Sequence, residues 1–276
     1  RLDLPAASEA LLHAQHAAFP RLAACEDGVA GGEAETAAAL EAARTCVDLT
    51  GRLLTDEEAA VPPAVARCAG AGGAVRALAE GVMAAAERQA GRLAANAAGP
   101  ALSPLLAASL LDFLAGWGAA YLCPDASLYG PQEMGGDVLH AWADPERAAS
   151  AVEFCVTLCV HYLCYWPLEQ AVREKCAQTL SALARRSAVR PLLVASPAFR
   201  RLAALHVATN GATYQARDGE IDMGAVRDGG LTEGHVRGYM RLPYDGRGRI
   251  LAALCVAASG DDADSLALVG RLIGNL

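Results

Sequence analysis

Apolar residues recur at three- and four-residue spacing along most of this 276-residue chain, and hardly any stretch alternates with the period of two that a half-buried strand requires. The pattern is clearest from 144 to 190. Asp144 stands where an N-cap belongs, Pro145 at the first helical position and Glu146 in the first turn. These predict a helix to about Tyr165, because Pro167 lacks an amide hydrogen and holds Trp166 out of the helical region. Pro167 then opens a second helix, with Leu168, Val172, Cys176, Leu180 and Leu183 inward and Glu169 paired outward with Arg173. The first of the two has almost no polar side, which predicts cover on most faces. Its apolar run, Ala151 to Trp166, is shorter than the roughly 20 residues a bilayer needs and is interrupted by Glu153 and His161, so no membrane insertion is expected.

The same periodicity predicts helices over about 6–18, closed by Pro20, and over 36–54, with Leu40, Val47, Leu49, Leu53 and Leu54 inward. Further helices are predicted over 73–95, from Ser103-Pro104, over 197–209, over 245–258 and over 265–273. Residues 25–35 read as a flexible acidic linker, and 210–236 as a long Gly- and Asp-rich loop. Ser103-Pro104 and Ser196-Pro197 repeat the cap and first-position proline of Asp144-Pro145. At a shift of 41 residues, Leu111, Asp112, Phe113, Tyr121, Leu122 and Cys123 fall on Val152, Glu153, Phe154, Tyr162, Leu163 and Cys164. Helix pairs repeating every 40 to 47 residues or so characterise HEAT and armadillo arrays. The fold class expected is therefore all-α, an α-solenoid of stacked antiparallel helix pairs running as one continuous segment over 1–276.

Composition sharpens this. Aromatics are 5% of the chain and alanine and leucine abound, which suits closely packed helices. Of the net charge of −8, residues 1–60 carry most, with eleven acidic against four basic groups. Such a field disfavours nucleic acid and favours a basic protein partner. Nine cysteines, scattered without a Cys-x-x-Cys pair and with no signal-peptide pattern ahead of them, point to a reducing compartment.

The chemistry-bearing residues form no site motif. Cys155, Cys159 and Cys164 with His161 are the one cluster, and their place on an apolar helix reads as core; a thiol or metal enzyme built on them is the competing idea. His13 and His16 at i, i+3 read as surface residues. Asp218, Glu220 and Asp222 lack the EF-hand spacing. Arg185, Arg186 and Arg190, and Arg200 with Arg201, lie where a helix C-terminus favours cations or where a basic edge would form. No enzyme is expected, and no catalytic, cofactor-binding or metal residue is assigned.

Between 102 and 260 the residues resemble a known family. Leu102-Ser103-Pro104, Phe113-Leu114, Trp117, Tyr121-Leu122, Leu128-Tyr129, Val156-Thr157-Leu158, Trp166-Pro167, Leu193-Val194, Leu254-Cys255 and Ala257-Ala258 are similar in order and spacing to the central HEAT repeats of nuclear export receptors of the importin-β superfamily. Gly51, Leu53-Leu54, Asp56-Glu57 and Val61-Pro62 are similar to that family's acidic, proline-containing loop, although Thr45 stands where the family has tryptophan. The resemblance implies a central fragment of a receptor that shuttles between nucleus and cytoplasm. Its partners would be nucleoporins, Ran in its GTP form, bound mainly by repeats outside this chain, and protein cargo such as translation factor five A. It needs no cofactor, because hydrolysis is the GTPase's work. A static helical scaffold with no GTPase partner is the alternative.

Overall fold

The computed structural model describes residues 3–29, 31–56, 60–68, 72–95, 102–124, 129, 137–140, 142, 144–214, 232–259, 267–270 and 272. Among them every regular element is a helix: α1 (Leu4–Glu26), α2 (Glu33–Leu54), α3 (Pro63–Ala66), α4 (Gly72–Ala94), α5 (Pro104–Tyr121), α6 (Asp137–His140), α7 (Pro145–Tyr165), α8 (Gln170–Arg185), α9 (Arg190–Ala195), α10 (Pro197–Tyr214), α11 (Glu233–Met240) and α12 (Tyr244–Ala258). The chain divides into two compact units, Arg1–Ala148 and Ala149–Leu276, with the division inside α7.

The predicted caps are in place. Asp144 Oδ1 accepts from Arg147 N at 2.9 Å, Ser103 Oγ from Leu106 N at 3.3 Å and Ser196 Oγ from Phe199 N at 3.2 Å. Each satisfies an amide that the first turn leaves unbonded.

In unit 1, α1 packs on α2 and α4 on α5, while α1 also packs on α4 and α2 on α5. Gln15 Nε2 of α1 donates to Thr50 Oγ1 of α2 at 2.9 Å and to the Leu78 carbonyl of α4 at 3.3 Å. Further along, Arg92 near the end of α4 reaches Asp27 just past the end of α1, at 2.9 Å. The two helices therefore run parallel. So do α2 and α5: a Cβ on Gly51 would meet Phe113 at 3.9 Å, and one on Gly116 would meet Thr55 Oγ1 at 3.1 Å. At the far end the Tyr121 hydroxyl donates to the Leu54 carbonyl at 2.8 Å, satisfying an orphan acceptor of α2's last turn. Trp142 sets its edge against Trp117 and Tyr121, with centroids 5.1 and 5.5 Å away.

Unit 2 repeats the logic. The turn Trp166–Glu169 folds α8 back on α7, where Cys159 and Cys176 point their sulfurs at each other's carbonyls at 4.0 and 3.9 Å. α12 packs on α8, and α10 packs on both α11 and α12. Arg249 meets Glu174 at 3.5 Å near the starts of α12 and α8. Arg190 bonds the Ala184 carbonyl and the Ser259 carbonyl at their ends, both at 3.2 Å, so this pair is parallel too. α10 meets α7 through Glu153, described below.

Several local expectations change. α1 does not stop at Pro20 but runs through it, because Pro20 and His16 lie on the exposed face, where water takes up the carbonyl that the missing amide leaves free. α1 and α2 also close in on the predicted 25–35 linker, leaving only Asp27–Gly32 between them. α8 begins at Gln170, so Leu168 falls in the preceding turn and is 59% exposed, while Val172, Cys176, Leu180 and Leu183 are buried as read. Arg173 turns inward to the Pro167 carbonyl at 3.2 Å, and the outward pair is Gln170 with Glu174. In α2 the core face is Ala39, Ala43, Cys46, Val47 and Leu54, which leaves Leu49 48% exposed. Of the predicted 210–236 loop, α10 takes residues up to Tyr214 and α11 takes Glu233–Met240; 215–231, including Asp218, Glu220 and Asp222, lie outside the described residues. The 41-residue self-match aligns α5, second helix of its pair, with α7, first helix of its own, so it does not mark the stacking relation found within either unit.

α5 and α7 are the two described helices long and apolar enough to cross a membrane; 56% of each apolar window is buried against protein.

Candidate protein-binding face

Large apolar side chains that stay exposed mark a surface able to bind where they form a contiguous patch. Among the described residues these are Val29, Leu49, Leu105, Leu168, Tyr244 and Val256. Val29 is in the α1–α2 connection; Leu49 lies on α2, Leu105 on α5, Tyr244 and Val256 on α12, and Leu168 in the turn entering α8. None is on α1, α4, α7 or α10. Four of the six thus lie on α2, α5 and α12, and the other two in connections.

In unit 1 the second helices also bound a groove of about 640 Å³, lined by Val47, Asp48, Gly51, Arg52, Thr55 and Asp56 from α2 and its end, and by Ser109, Asp112 and Phe113 from α5. Gly51 and Ser109 keep the channel open because their side chains are absent or small. Phe113, 4% exposed, forms part of its floor. Three carboxylates, Asp48, Asp56 and Asp112, and one guanidinium, Arg52, line it.

In unit 2 a polar seam joins α7, α10 and α11. Glu153 accepts from the Ser196 hydroxyl, from Ala198 N at 2.9 Å and from Arg201 at 3.0 Å, so one carboxylate closes the N-terminus of α10 and pairs with a side chain one turn on. One turn of α7 after the next, His161 sits beside His235 of α11 and Tyr165, with ring centroids 5.9 and 6.3 Å away. Thr232 N donates to His235 Nδ1 at 3.1 Å, in a capping box that places the neutral ring's proton on Nε2. Burial lowers the pKa of His161, with His235 and Arg201 acting in the same direction, and burial then Arg201 lower that of His235. Deeper, His206 Nδ1 lies 2.9 Å from the Tyr239 hydroxyl, and burial, aided by Arg247, lowers the His206 pKa to about 4.

The Cys155, Cys159, Cys164 and His161 cluster is separated by the helix itself. The three thiols are buried in the core, while His161 is on the half-exposed seam with its Nδ1 lacking a hydrogen-bond partner among the described residues. Burial raises the pKa of Cys155 and Cys164, and the contact with Cys176 followed by burial raises that of Cys159, which suppresses the thiolate a nucleophile needs. Among the described residues no three His, Cys, Asp or Glu side chains are placed to hold a metal. His13 and His16 are exposed on α1. Arg190 caps helix C-termini, and Arg200 bonds the Ala195 carbonyl at 2.8 Å, so these arginines serve helix ends. The groove was missed because its two walls are far apart in sequence; the visible signal was the acidic excess of residues 1–60.

No protein-family model and no curated protein matches this chain.

Proposed function

We propose that this chain is a segment of a nuclear export receptor of the importin-β type, similar to exportin-4, in which stacked helix pairs form part of an α-solenoid. The receptor would bind protein cargo together with Ran-GTP and carry it from nucleus to cytoplasm. The observation that carries the reading is the packing rule shared by both units: first helix against first helix, second against second, with second helices parallel. Pairs stacked in this way bury one continuous core and leave the second helices free to hold a partner. The exposed apolar side chains on those second helices, and the residue pattern over 102–260, favour the same reading. Exportin-7 shares the acidic loop after α2 and is the nearest alternative within the family.

The test is capture of Ran by the whole protein, with Ran locked in its GTP or GDP state and translation factor five A as candidate cargo. Retention of the GTP form, strengthened by cargo, is the expected result. Equal retention of both nucleotide states, or of neither, leaves a static helical scaffold instead.

A further inference from the structure

Two histidines meet across the α7–α11 contact, and the bonds around them suit only the neutral rings. His161 of α7 and His235 of α11 have centroids 5.9 Å apart, and the Tyr165 ring lies 5.7 Å from His235. His235 is also the third residue of α11's capping box: its Nδ1 accepts from Thr232 N at 3.1 Å and lies 2.7 Å from the Thr232 hydroxyl. An imidazolium carries a proton on both nitrogens and has no lone pair to offer Thr232 N. It also sets a cation in the first turn, where the helix dipole favours an anion. Protonation of His235 therefore removes the cap of an eight-residue helix and opposes its dipole at the same end.

The surroundings do not compensate. Among the described residues Arg201, reaching in from α10, is the charged side chain that acts against a positive charge on both rings. Glu153 of α7 is held by Ser196, Ala198 N and Arg201, and Glu233 of α11 by Arg237. Tyr165 and Cys164 of α7 and Tyr239 of α11 are neutral, their pKa values raised by burial. Arg247 of α12 bonds the Met240 and Leu242 carbonyls, and His206 of α10 faces Tyr239. A metal clasp on the two rings is unsuited, because His235 spends its Nδ1 lone pair on Thr232 and no third ligand stands by among the described residues. What holds α11 down is one short buried face, Val236, Gly238 and Tyr239, together with this cap.

We propose that His161 and His235 form a pH-sensitive latch: on acidification both rings take up protons, the capping box opens and α11 lifts from α7. The sign follows from burial, which sets both groups below the ordinary 6.5; docking is fully supported above 6.5 and weakens as pH falls toward the folded values. Release would uncover Val236, Tyr239 and the α7 surface at Cys164. The latch lies within unit 2 and depends on neither Ran nor cargo.

Hydrogen exchange read by mass spectrometry on the full chain tests it, with wild type and H235Q compared at about pH 7.5 and again at about pH 5.5, so that intrinsic rates cancel. Glutamine suits the third position of a capping box, keeps an acceptor and does not titrate. Protection over 233–240 should match at the higher pH. At the lower pH wild type should exchange about tenfold faster or more, since each linked proton shifts the opening constant by up to about tenfold per pH unit. α8 should stay protected in both. H235K, charged throughout, should show the open α11 already at the higher pH, and H161Q should lose part of the acid response. H206Q should keep it, because His206 titrates near 4. Where H235Q does not fold, H161Q and imidazole resonances of the wild type decide: both rings should titrate below 6.5. The proposal falls if wild type and H235Q exchange alike at the lower pH, or if either ring titrates at 6.5 or above. It falls equally if α8 loses protection in step with α11, because acid then unfolds unit 2 as a whole.

Discussion

At the scale of single residues, the close approach at Gly238 is the most demanding. A Cβ there would lie 1.8 Å from the Cys164 carbonyl oxygen, so α11 can sit on α7 only with glycine at this position. Gly238→Ala should cost about 2 kcal/mol or more in urea unfolding, as overpacking against backbone does. Gly248→Ala, with open space around it inside α12, should be neutral or stabilise by up to about 1 kcal/mol. His206 carries a pH signature. Its folded pKa of about 4 is below the ordinary 6.5, so its contribution is full above 6.5 and is lost as pH falls toward 4. Unfolding midpoints should drop across that window and H206Q should flatten the slope, while Glu26, whose carboxyl pKa is raised by burial, acts in the opposite direction in both proteins. The buried thiols give a third expectation. Under native conditions iodoacetamide should leave Cys155, Cys159, Cys164 and Cys176 unmodified in mass spectra while Cys25, Cys68, Cys123 and Cys255 react first.

At the scale of elements, polar side chains set which helix ends meet. Gln15, 2% exposed, ties α1 to both α2 and α4, and Gly81 leaves room for its amide, since a Cβ there would lie 2.5 Å from Gln15 Oε1. Gln15→Ala should therefore destabilise by about 2 kcal/mol, from a cavity and the loss of the amide's bonds to the Thr50 hydroxyl and the Leu78 carbonyl together. Restoring only apolar volume with Gln15→Leu should recover part of that loss in the same unfolding assay. Helix starts were legible from sequence where Asp or Ser preceded proline, because a cap is a local bond between residues three apart. Helix ends were less so. Pro20 signals a stop by local rules, yet exposure of that face let α1 continue, and whether a face is exposed is decided by neighbours far along the chain.

At the scale of the whole molecule, the two units share a packing rule although their sequences show no clean repeat. Asp112 of α5 and Asp48 of α2 line one groove although no periodicity links them, which is why charge in the first 60 residues was visible and the groove was not. The apparent 41-residue repeat misled for a related reason: α5 and α7 are both proline-started, aromatic and apolar, and such a pattern follows from burial on several sides regardless of which place in a pair the helix takes.

Helical class, most starts and the alanine- and leucine-rich core were determined by the sequence alone, since period, caps and side-chain volume act within a few residues. Tertiary structure decided which apolar residues stay outside, as Leu49, Leu105 and Leu168 do, and which polar ones go in, as Gln15, Arg173 and His206 do. Burial is a property of what packs against a face. That partner is chosen by contacts between helices far apart in the chain, which local pattern does not encode.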